Sequence, residues 1–283
     1  MKVVKTIKLY IDGQFVRSES GQSFSMEKKG SGKKSPEQFA RIALASRKDF
    51  RNAVEAAKKA HNSWNARSPF NRGQILYRMA EMLSEKQAQF SQLFQDALGQ
   101  TPKLAQHELQ KTIDIIIYYA GFSDKFQQLT ATVNPVNGPF HNFTTAEPIG
   151  VVAYIDAQNF SLAKILNNIC SIIVSGNTTV SLLGAECPAV LAPLAEVFAT
   201  CDLPAGVVNL LTGHLDELSA VISTHREVRS FCFADESMTL YKQMKAQGVD
   251  NMKRSALVTN AVPTLENILH FVEYKTIWHP IGL

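Results

Sequence analysis

The side chains best suited to covalent or metal chemistry in this sequence are four cysteines and seven histidines. The cysteines lie in apolar or mixed surroundings without a Cys-x-x-Cys pair: Cys170, Cys187, Cys201 and Cys232. Zinc ribbons and disulfide scaffolds need closely paired cysteines, so we interpret these as reduced, buried thiols. The histidines form no His-x-His or His-x-x-x-His pair, and no Gly-x-Ser-x-Gly motif is present. We therefore expect neither a metal site nor a hydrolase triad.

Composition narrows the class of protein further. The chain has 283 residues, of which 45% are hydrophobic and 19% charged, which suits one large or two small globular domains. A formal net charge of +4 is too weak to indicate nucleic-acid binding. No apolar run approaches the ~18 residues that would indicate a membrane span. The first residues turn directly into a strand pattern without a signal-peptide core, so we expect a cytoplasmic protein.

The first half of the chain must supply a hairpin and then helices. Residues 8–16 alternate around Asp12-Gly13, which predicts a hairpin because both turn positions favour positive φ. Residues 27–36 carry four lysines and no apolar anchor, which is typical of a solvated loop. Helices are predicted to start at Ser46 with Asp49 in the first turn, at Ser68-Pro69, at Ser84 and at Pro102. The last of these is predicted to extend to residue 129 and to face the core with Leu109, Ile113, Ile116, Ile117 and Ala120.

From residue 140 the hydrophobic period changes to alternating strands and helices. After a strand at 140–145, further strands are predicted at 149–155, 178–183, 207–212, 230–233 and 256–259, with helices at 162–174, 188–200, 215–223 and 237–247 between them. Continuous Val, Ile and Leu strands separated by helices predict a doubly wound, Rossmann-like α/β sheet that is covered on both faces. A short helix at 265–271 and a final strand at 272–278 complete the pattern.

At this point the chain resembles the aldehyde dehydrogenase superfamily. The resemblance follows the chain in order through short segments that correspond to the family's opening hairpin, first helices and nucleotide-domain strands: 8–16, 53–64, 71–80, 115–125, 147–153 and 203–213. Each segment alone is weak evidence for the family, but the whole series in the family's order is specific to it. The nearest relatives are expected to be short bacterial members similar to the truncated second module of family 16 aldehyde dehydrogenases.

The resemblance implies thiolate attack on an aldehyde and hydride transfer to NAD(P), yet the sequence departs from the family at the residues that do this. The Gly-Gln-x-Cys nucleophile motif and the Glu-Leu-Gly-Gly-Lys segment with its general base are not found. Asn159 matches the position of the oxyanion asparagine, but its Pro-Trp-Asn-Phe-Pro surroundings are replaced. The preferred interpretation is that Asn159 caps the helix that begins near Ser161.

The positions that hold NAD(P) in the family also differ. Leu182 occupies the position of the family's ribose-binding lysine, and Ala185 occupies the position of its glutamate. Glu186 lies one residue after that position, and neighbouring residues of a strand point to opposite faces. Asp235 and Glu236 replace the glycine-rich turn that meets the pyrophosphate, and we expect them to begin a helix instead. We therefore predict no cofactor; NAD(P) is implied by the family resemblance only.

The end of the chain is similar to the family's C-terminal helix and oligomerisation strand, which pairs in the family with the catalytic domain of a neighbouring subunit. We thus expect an aldehyde dehydrogenase-like, NAD-binding-like domain at 1–263, divided into 1–145 and 146–263, followed by a bridging segment at 264–283, without the catalytic domain. Its strand either folds back on the 9–16 hairpin or finds an acceptor edge on another protein. The expected partner is a full-length aldehyde dehydrogenase or another copy of the chain.

The favoured hypothesis is therefore a catalytically silent family member that works as a structural or regulatory subunit. Two alternatives remain open: an NAD(P)-dependent oxidoreductase that acts on aldehydes alone or in trans, and a non-enzymatic module that binds a nucleotide or another small ligand at the sheet.

Overall fold

The structure is a computed structural model that describes residues 4–28, 38–156, 160–184 and 186–282. In the first half of the chain, short strands lead into a helical region. The strands are β1 (Lys5–Ile7), β2 (Leu9–Ile11), β3 (Gln14–Val16), β4 (Ser23–Glu27) and β5 (Gln38–Ala43). The helices are α1 (Arg47–Asn65), α2 (Pro69–Glu85), α3 (Gln87–Leu98), α4 (Pro102–Phe122) and the short α5 (Phe126–Thr130). Most of the solvated loop predicted at 27–36 lies outside the described residues.

The second half alternates strands and helices. The strands are β6 (Thr132–Asn134), β7 (Phe140–Pro148), β8 (Val151–Asp156), β9 (Thr178–Leu183), β10 (Val208–Thr212), β11 (Val228–Phe233), β12 (Arg254–Leu257) and β13 (Val272–Pro280). The helices are α6 (Leu162–Val174), α7 (Leu191–Thr200), α8 (Leu215–Thr224), α9 (Met238–Gln247) and α10 (Leu265–Leu269), with 3-10 turns at Pro188–Val190 and Val249–Asn251.

The central sheet has the strand order β12-β11-β8-β9-β10-β2-β3. Strands β8 to β12 are parallel, and β2 adds to β10 in the antiparallel direction, with Tyr10 opposite Leu210. Apolar side chains fill both faces of this sheet: α6 and α7 cover one face, with α2 and α4 packed against them, and α1, α8 and α9 cover the other. This arrangement confirms the predicted doubly wound α/β fold, because parallel strands buried on both faces need helices on each side.

Local sequence signals explain where elements begin. Asp12 and Gly13 both have positive φ (52° and 74°), as the predicted hairpin turn requires. Ser46 and Asp49 form a reciprocal capping box at the start of α1, and Ser68 caps α2 with Pro69 in the first turn. Those three predictions are confirmed.

The helical region also contains three errors of prediction. The third helix starts at Gln87 rather than at Ser84, because α2 extends to Glu85. Helix α4 ends at Phe122 rather than near residue 129, and α5 continues as a separate short helix. Ile117 was expected in the core but is 42% exposed, whereas Ile116 is fully buried. Ile117 lies past the edge of the packed face of α4 and lines a shallow surface groove with Tyr77 of α2. The helical period places Ile117 next to the apolar stripe of α4 but outside its buried face.

Strand β13 pairs with β7 along its whole length in a sheet of order β13-β7-β6. The alternative in which this strand folds back on the 9–16 hairpin is therefore wrong. The hairpin is already used as the edge extension of the central sheet beside β10, while β7 offers β13 an antiparallel partner of equal length.

Within the described ranges no helix is both long and apolar enough to cross a membrane.

Candidate functional site

The crevice at the carboxyl ends of β8 and β11 is where this fold is expected to bind a ligand. The chain runs from β8 outward through β9 and β10, then crosses to β11 on the other side of β8. Such a topological switch point is the usual ligand crevice of a doubly wound sheet. Three charged side chains occupy it: Asp156 at the end of β8, Asp235 just after β11, and Lys164 near the start of α6.

Lys164 and Asp156 form a buried ion pair in this crevice. Lys164 Nζ lies 2.9 Å from Asp156 Oδ1, and the two side chains are only 6% and 3% exposed. The same Nζ donates to the carbonyl oxygen of Ala234 at 3.3 Å, while the Tyr154 hydroxyl donates to Asp156 Oδ2 at 2.9 Å. The pair thus joins the ends of both strands to α6.

Burial is the largest cause of the pKa shifts of Asp156 and Tyr154. It raises the pKa of Asp156 to about 6, and the nearby Asp235 adds to the rise, although Lys164 and the Tyr154 hydroxyl act in the opposite direction. Burial and the Asp156 carboxylate also raise the pKa of Tyr154 well above its usual value. The Tyr154 phenol therefore keeps its proton and serves as a donor.

Asp235 stands where the resemblance expects a glycine. It is 2% exposed, and its Oδ1 accepts from the Ser237 amide at 2.9 Å, directly before α9. The Glu236 carbonyl accepts from the Met238 amide at 2.9 Å. These two residues therefore lie just before the helix and do not begin it: α9 starts at Met238 after its cap Ser237. No hydrogen bond to the buried Asp235 Oδ2 is formed among the described residues.

The amino end of α6 is also occupied by the protein's own groups. Ser161 Oγ accepts from the Lys164 amide at 3.1 Å, so Ser161 is the cap of this helix. Glu108 of α4 adds a carboxylate: its Oε1 accepts from Ser161 Oγ at 2.7 Å and from the Ala163 amide at 3.0 Å. Asn159, the sequence-predicted oxyanion or capping residue, lies outside the described residues. Glu108 was missed because nothing in its helical surroundings marks a contact 55 residues away.

The strand next to the crevice offers no ribose-binding group at the predicted position. Leu182 is 2% exposed and packs in the apolar layer between the sheet and α1. Ala185 lies outside the described residues. Glu186 Oε2 accepts from the Phe160 amide at 2.8 Å, which ties the segment after β9 to the segment before α6. The cavity below this contact, lined by Asp156, Ile165, Leu183 and Cys187 among others, has about 10 Å³, room for about one water molecule.

All four cysteines are buried, as the sequence predicts. Burial raises the pKa of the Cys170 and Cys232 thiols far above the usual range and raises the pKa of Cys201 to about 12. A thiolate is the nucleophilic form of cysteine. These three thiols are therefore unsuited to nucleophilic attack near neutral pH.

A dinucleotide does not fit the residues present. Its phosphates would lie near the carboxylate of Asp235, and Leu182 is buried against α1 and offers no hydrogen bond to a ribose. Asp156 and Lys164 lie in the crevice as a buried ion pair, with Lys164 Nζ 2.9 Å from Asp156 Oδ1.

Comparison with known proteins decides the family. The profile described as "Aldehyde dehydrogenase family" matches residues 19–261. The chain belongs to the aldehyde dehydrogenase family. It is 29% identical over 259 residues to retinal dehydrogenase 2 of Mus musculus, covering 90% of this chain and 48% of that protein. It is 28% identical over 257 residues to omega-crystallin of Enteroctopus dofleini, covering 90% and 50%.

Solved aldehyde dehydrogenases share the same fold. The NAD+ complex of the Bacillus cereus enzyme superposes with a TM-score of 0.82 at 26% identity, covering 89% of this chain and 50% of that one. The chain thus spans about half the length of these relatives. The match covers the Rossmann-like sheet and the helices before it, where the departures described above are located.

Proposed function

We propose that this aldehyde dehydrogenase family protein is catalytically silent and serves as a structural or regulatory subunit. The observation that carries the proposal is the buried ion pair of Asp156 and Lys164 at the switch point. A family member that used this crevice for a dinucleotide would need it open. Here the crevice is closed by charges that are costly to bury and costly to separate.

Supporting features come from the other positions around the crevice. Asp235 places a carboxylate before α9, and Glu108 occupies the amino end of α6 with another. Anions at helix amino ends are stabilising, so each carboxylate satisfies the site that a phosphate would otherwise use. The raised pKa values of Cys170, Cys201 and Cys232 argue that none of these thiols replaces the family's nucleophile.

The test is a calorimetric titration of the purified chain with NAD+, NADP+ and NADH, with a full-length family enzyme as the positive control. We expect no saturable binding, with any Kd weaker than about 1 mM. Micromolar binding would contradict the proposal and favour the NAD(P)-dependent oxidoreductase. Binding of other nucleotides in a thermal-shift panel would instead favour a ligand-binding module.

The subunit role is proposed because the chain carries a long strand with an open edge. Strand β13 lies at the end of the sheet β13-β7-β6, and edge strands bind other strands readily. A full-length aldehyde dehydrogenase or a second copy of this chain would each offer such a strand. Native mass measurement tests both partners: the chain mixed with a full-length family enzyme tests the first, and the chain alone tests the second.

A further inference from the structure

A pocket of about 300 Å³ lies between the β2-β3 hairpin and the small sheet β1-β5-β4. Three cationic residues line it: Lys8 between β1 and β2, Arg17 directly after β3, and Arg41 in β5. Within the described part of the chain, no aspartate or glutamate lines this pocket. Its volume is at the lower end of the range for small-molecule sites, about 300–1,000 Å³. The pocket is therefore a candidate site for a small anion.

The register of the small sheet places Arg41 among hydroxyl groups. In β5, Arg41 is paired with Thr6 of β1, and Ala43 is paired with Ser23 of β4. Successive residues of a strand point to opposite faces, so Arg41 and Ala43 share one face with their two partners. All four residues line the pocket. The hydroxyls of Thr6 and Ser23 thus lie on the same face as Arg41 and can donate to the same anion.

The register of the hairpin brings Lys8 and Arg17 together. Leu9 of β2 is paired with Val16 of β3. Lys8 precedes Leu9 and Arg17 follows Val16, so the two cations come next on either side of the hairpin. Like charges that lie opposite each other on adjacent strands are destabilising. An anion bound between them would remove this repulsion.

The three cations have no counter-charge of their own. None of them forms an ion pair or a side-chain hydrogen bond with another described residue. Other exposed lysines are paired: Lys58 Nζ, for example, lies 2.9 Å from Glu227 Oε1. The positive charge of the pocket is therefore available to a ligand.

The carboxylates of the neighbouring segment are held by other donors. Asp49 Oδ2 accepts from the Ser18 hydroxyl at 2.9 Å and from the Ser46 amide at 2.8 Å. Asp49 Oδ1 accepts from the Glu19 amide at 3.1 Å, and the Glu19 carboxylate is paired with Lys48 at 2.7 Å. Neither carboxylate lines the pocket. These two acids therefore leave the three cations without compensation.

We propose that this basic pocket, defined by Thr6, Lys8, Arg17, Ser23 and Arg41, binds the phosphate group of a small molecule. A phosphomonoester carries about two negative charges and three acceptor oxygens. Guanidinium groups match phosphate with paired N–H donors, and an ammonium group adds a point charge. A cleft lined by charges of one sign also raises the local concentration of the counter-ion. A single pocket of this size suits one phosphate group better than the row of phosphates of a nucleic acid.

The basic pocket is independent of the crevice and goes beyond the proposed function. None of its lining residues belongs to β8, β11 or α6, which form the crevice. A chain that is silent at the crevice and a chain that is active there could both bind phosphate at the basic pocket. Failure of one proposal therefore leaves the other standing.

The first test is titration calorimetry of the full chain at fixed ionic strength. The probes are inorganic phosphate and glycerol 3-phosphate, with glycerol as the uncharged control. We expect saturable binding of a phosphate probe with a Kd below about 1 mM and no binding of glycerol. Equal affinity for both probes would mean that the pocket recognises the phosphate group alone. Tighter binding of glycerol 3-phosphate would mean that it also contacts the organic part.

Variants assign the binding to the basic pocket. Arg17→Gln and Arg41→Gln each remove one guanidinium group and should weaken binding at least about tenfold. Arg41→Lys keeps the charge but loses the paired donors, so a smaller loss of about 3–10-fold is expected. Lys58→Gln is the matched control, because it removes the same charge from a lysine that does not line the pocket. Its affinity should stay within about twofold of the wild type.

Thermal unfolding separates binding from a structural role of the cations. Without phosphate, Arg17→Gln should unfold at the same temperature as the wild type or higher, because Lys8 loses the like charge next to it. A ligand that binds the folded state stabilises it. Glycerol 3-phosphate at about 10 mM should therefore raise the Tm of the wild type and of Lys58→Gln more than that of Arg17→Gln.

Three outcomes would overturn the proposal. The first is the absence of saturable binding of both phosphate probes up to about 10 mM. The second is binding of wild-type strength in both Arg17→Gln and Arg41→Gln. The third is a chain that binds duplex DNA and neither small probe, which would mean an extended basic surface instead of a pocket for one phosphate.

Discussion

At the scale of single residues, the pair of Asp156 and Lys164 has the greatest consequence. Removing two charges from water costs several kcal/mol per ion, and their attraction returns this only with good geometry and further hydrogen bonds. Here Tyr154 supplies one such bond and the Ala234 carbonyl another. The pair is therefore held by partners on both strand ends, and loss of the Lys164 cation would leave the Asp156 carboxylate buried and uncompensated.

We expect Lys164→Met to destabilise the protein by about 3–5 kcal/mol, because it leaves the Asp156 carboxylate buried without its cation. The double variant Asp156→Leu/Lys164→Met should be within about 1–2 kcal/mol of the wild type, since two apolar side chains can replace a buried pair. Urea unfolding of both variants measures the two free energies. Equal losses for the single and double variants would contradict the coupling.

The pH dependence of stability provides a second residue-scale prediction. The pKa of Asp156 is about 6 in the folded protein and 3.8 ordinarily, so the folded state binds more protons between these values. Its contribution to stability is therefore present below about pH 4 and is lost as the pH rises through about 6. Relative to Asp156→Asn, the wild type should lose about 2–3 kcal/mol between pH 4 and pH 7. Urea unfolding of both proteins across this range gives the difference; a difference that stays constant with pH would contradict the assignment.

At the scale of elements, the sequence predicted the bounds of strands and helices where a local signal marks them. The observed bounds of β9 and α6 agree with the sequence prediction, because a continuous apolar run and a serine cap mark them. The partner of β13 could not be predicted, since an edge strand's sequence does not specify which strand it meets.

In the candidate site, too, some features could be predicted from the sequence and others arise only from tertiary packing. The presence of Leu182 at the family's lysine position, and the location of Asp235 close to the start of a helix, could be predicted from the segments that resemble the family. The ion pair was not, because Asp156 and Lys164 gain meaning only when β8 and α6 fold together. The contact of Glu108 with the start of α6 is likewise a product of tertiary packing.

At the scale of the whole molecule, one buried amide side chain helps to join the outer sheet β13-β7-β6 to the central sheet. Asn177 follows α6 and is fully buried. Its Oδ1 accepts from the Gly150 amide at 2.8 Å, where β7 turns into β8. Its Nδ2 donates to Ser175 Oγ at 2.8 Å and to the Phe271 carbonyl at 2.7 Å, directly before β13. One side chain thus ties the ends of β7 and β13 in the outer sheet to the central sheet.

We expect Asn177→Ala to cost about 2–4 kcal/mol, because the buried Gly150 amide and Phe271 carbonyl lose their partner together. Asn260→Ala is the matched control: among the described residues its side chain accepts only from the exposed Val262 amide, at 3.1 Å, so the change should stay within about 0.5 kcal/mol. Hydrogen exchange adds the positional readout. Amides of β13 that bond to β7 should exchange faster in Asn177→Ala, while those of β9 keep their order of protection. Uniform acceleration across both sheets would mean that Asn177 supports the core as a whole rather than the junction between the sheets.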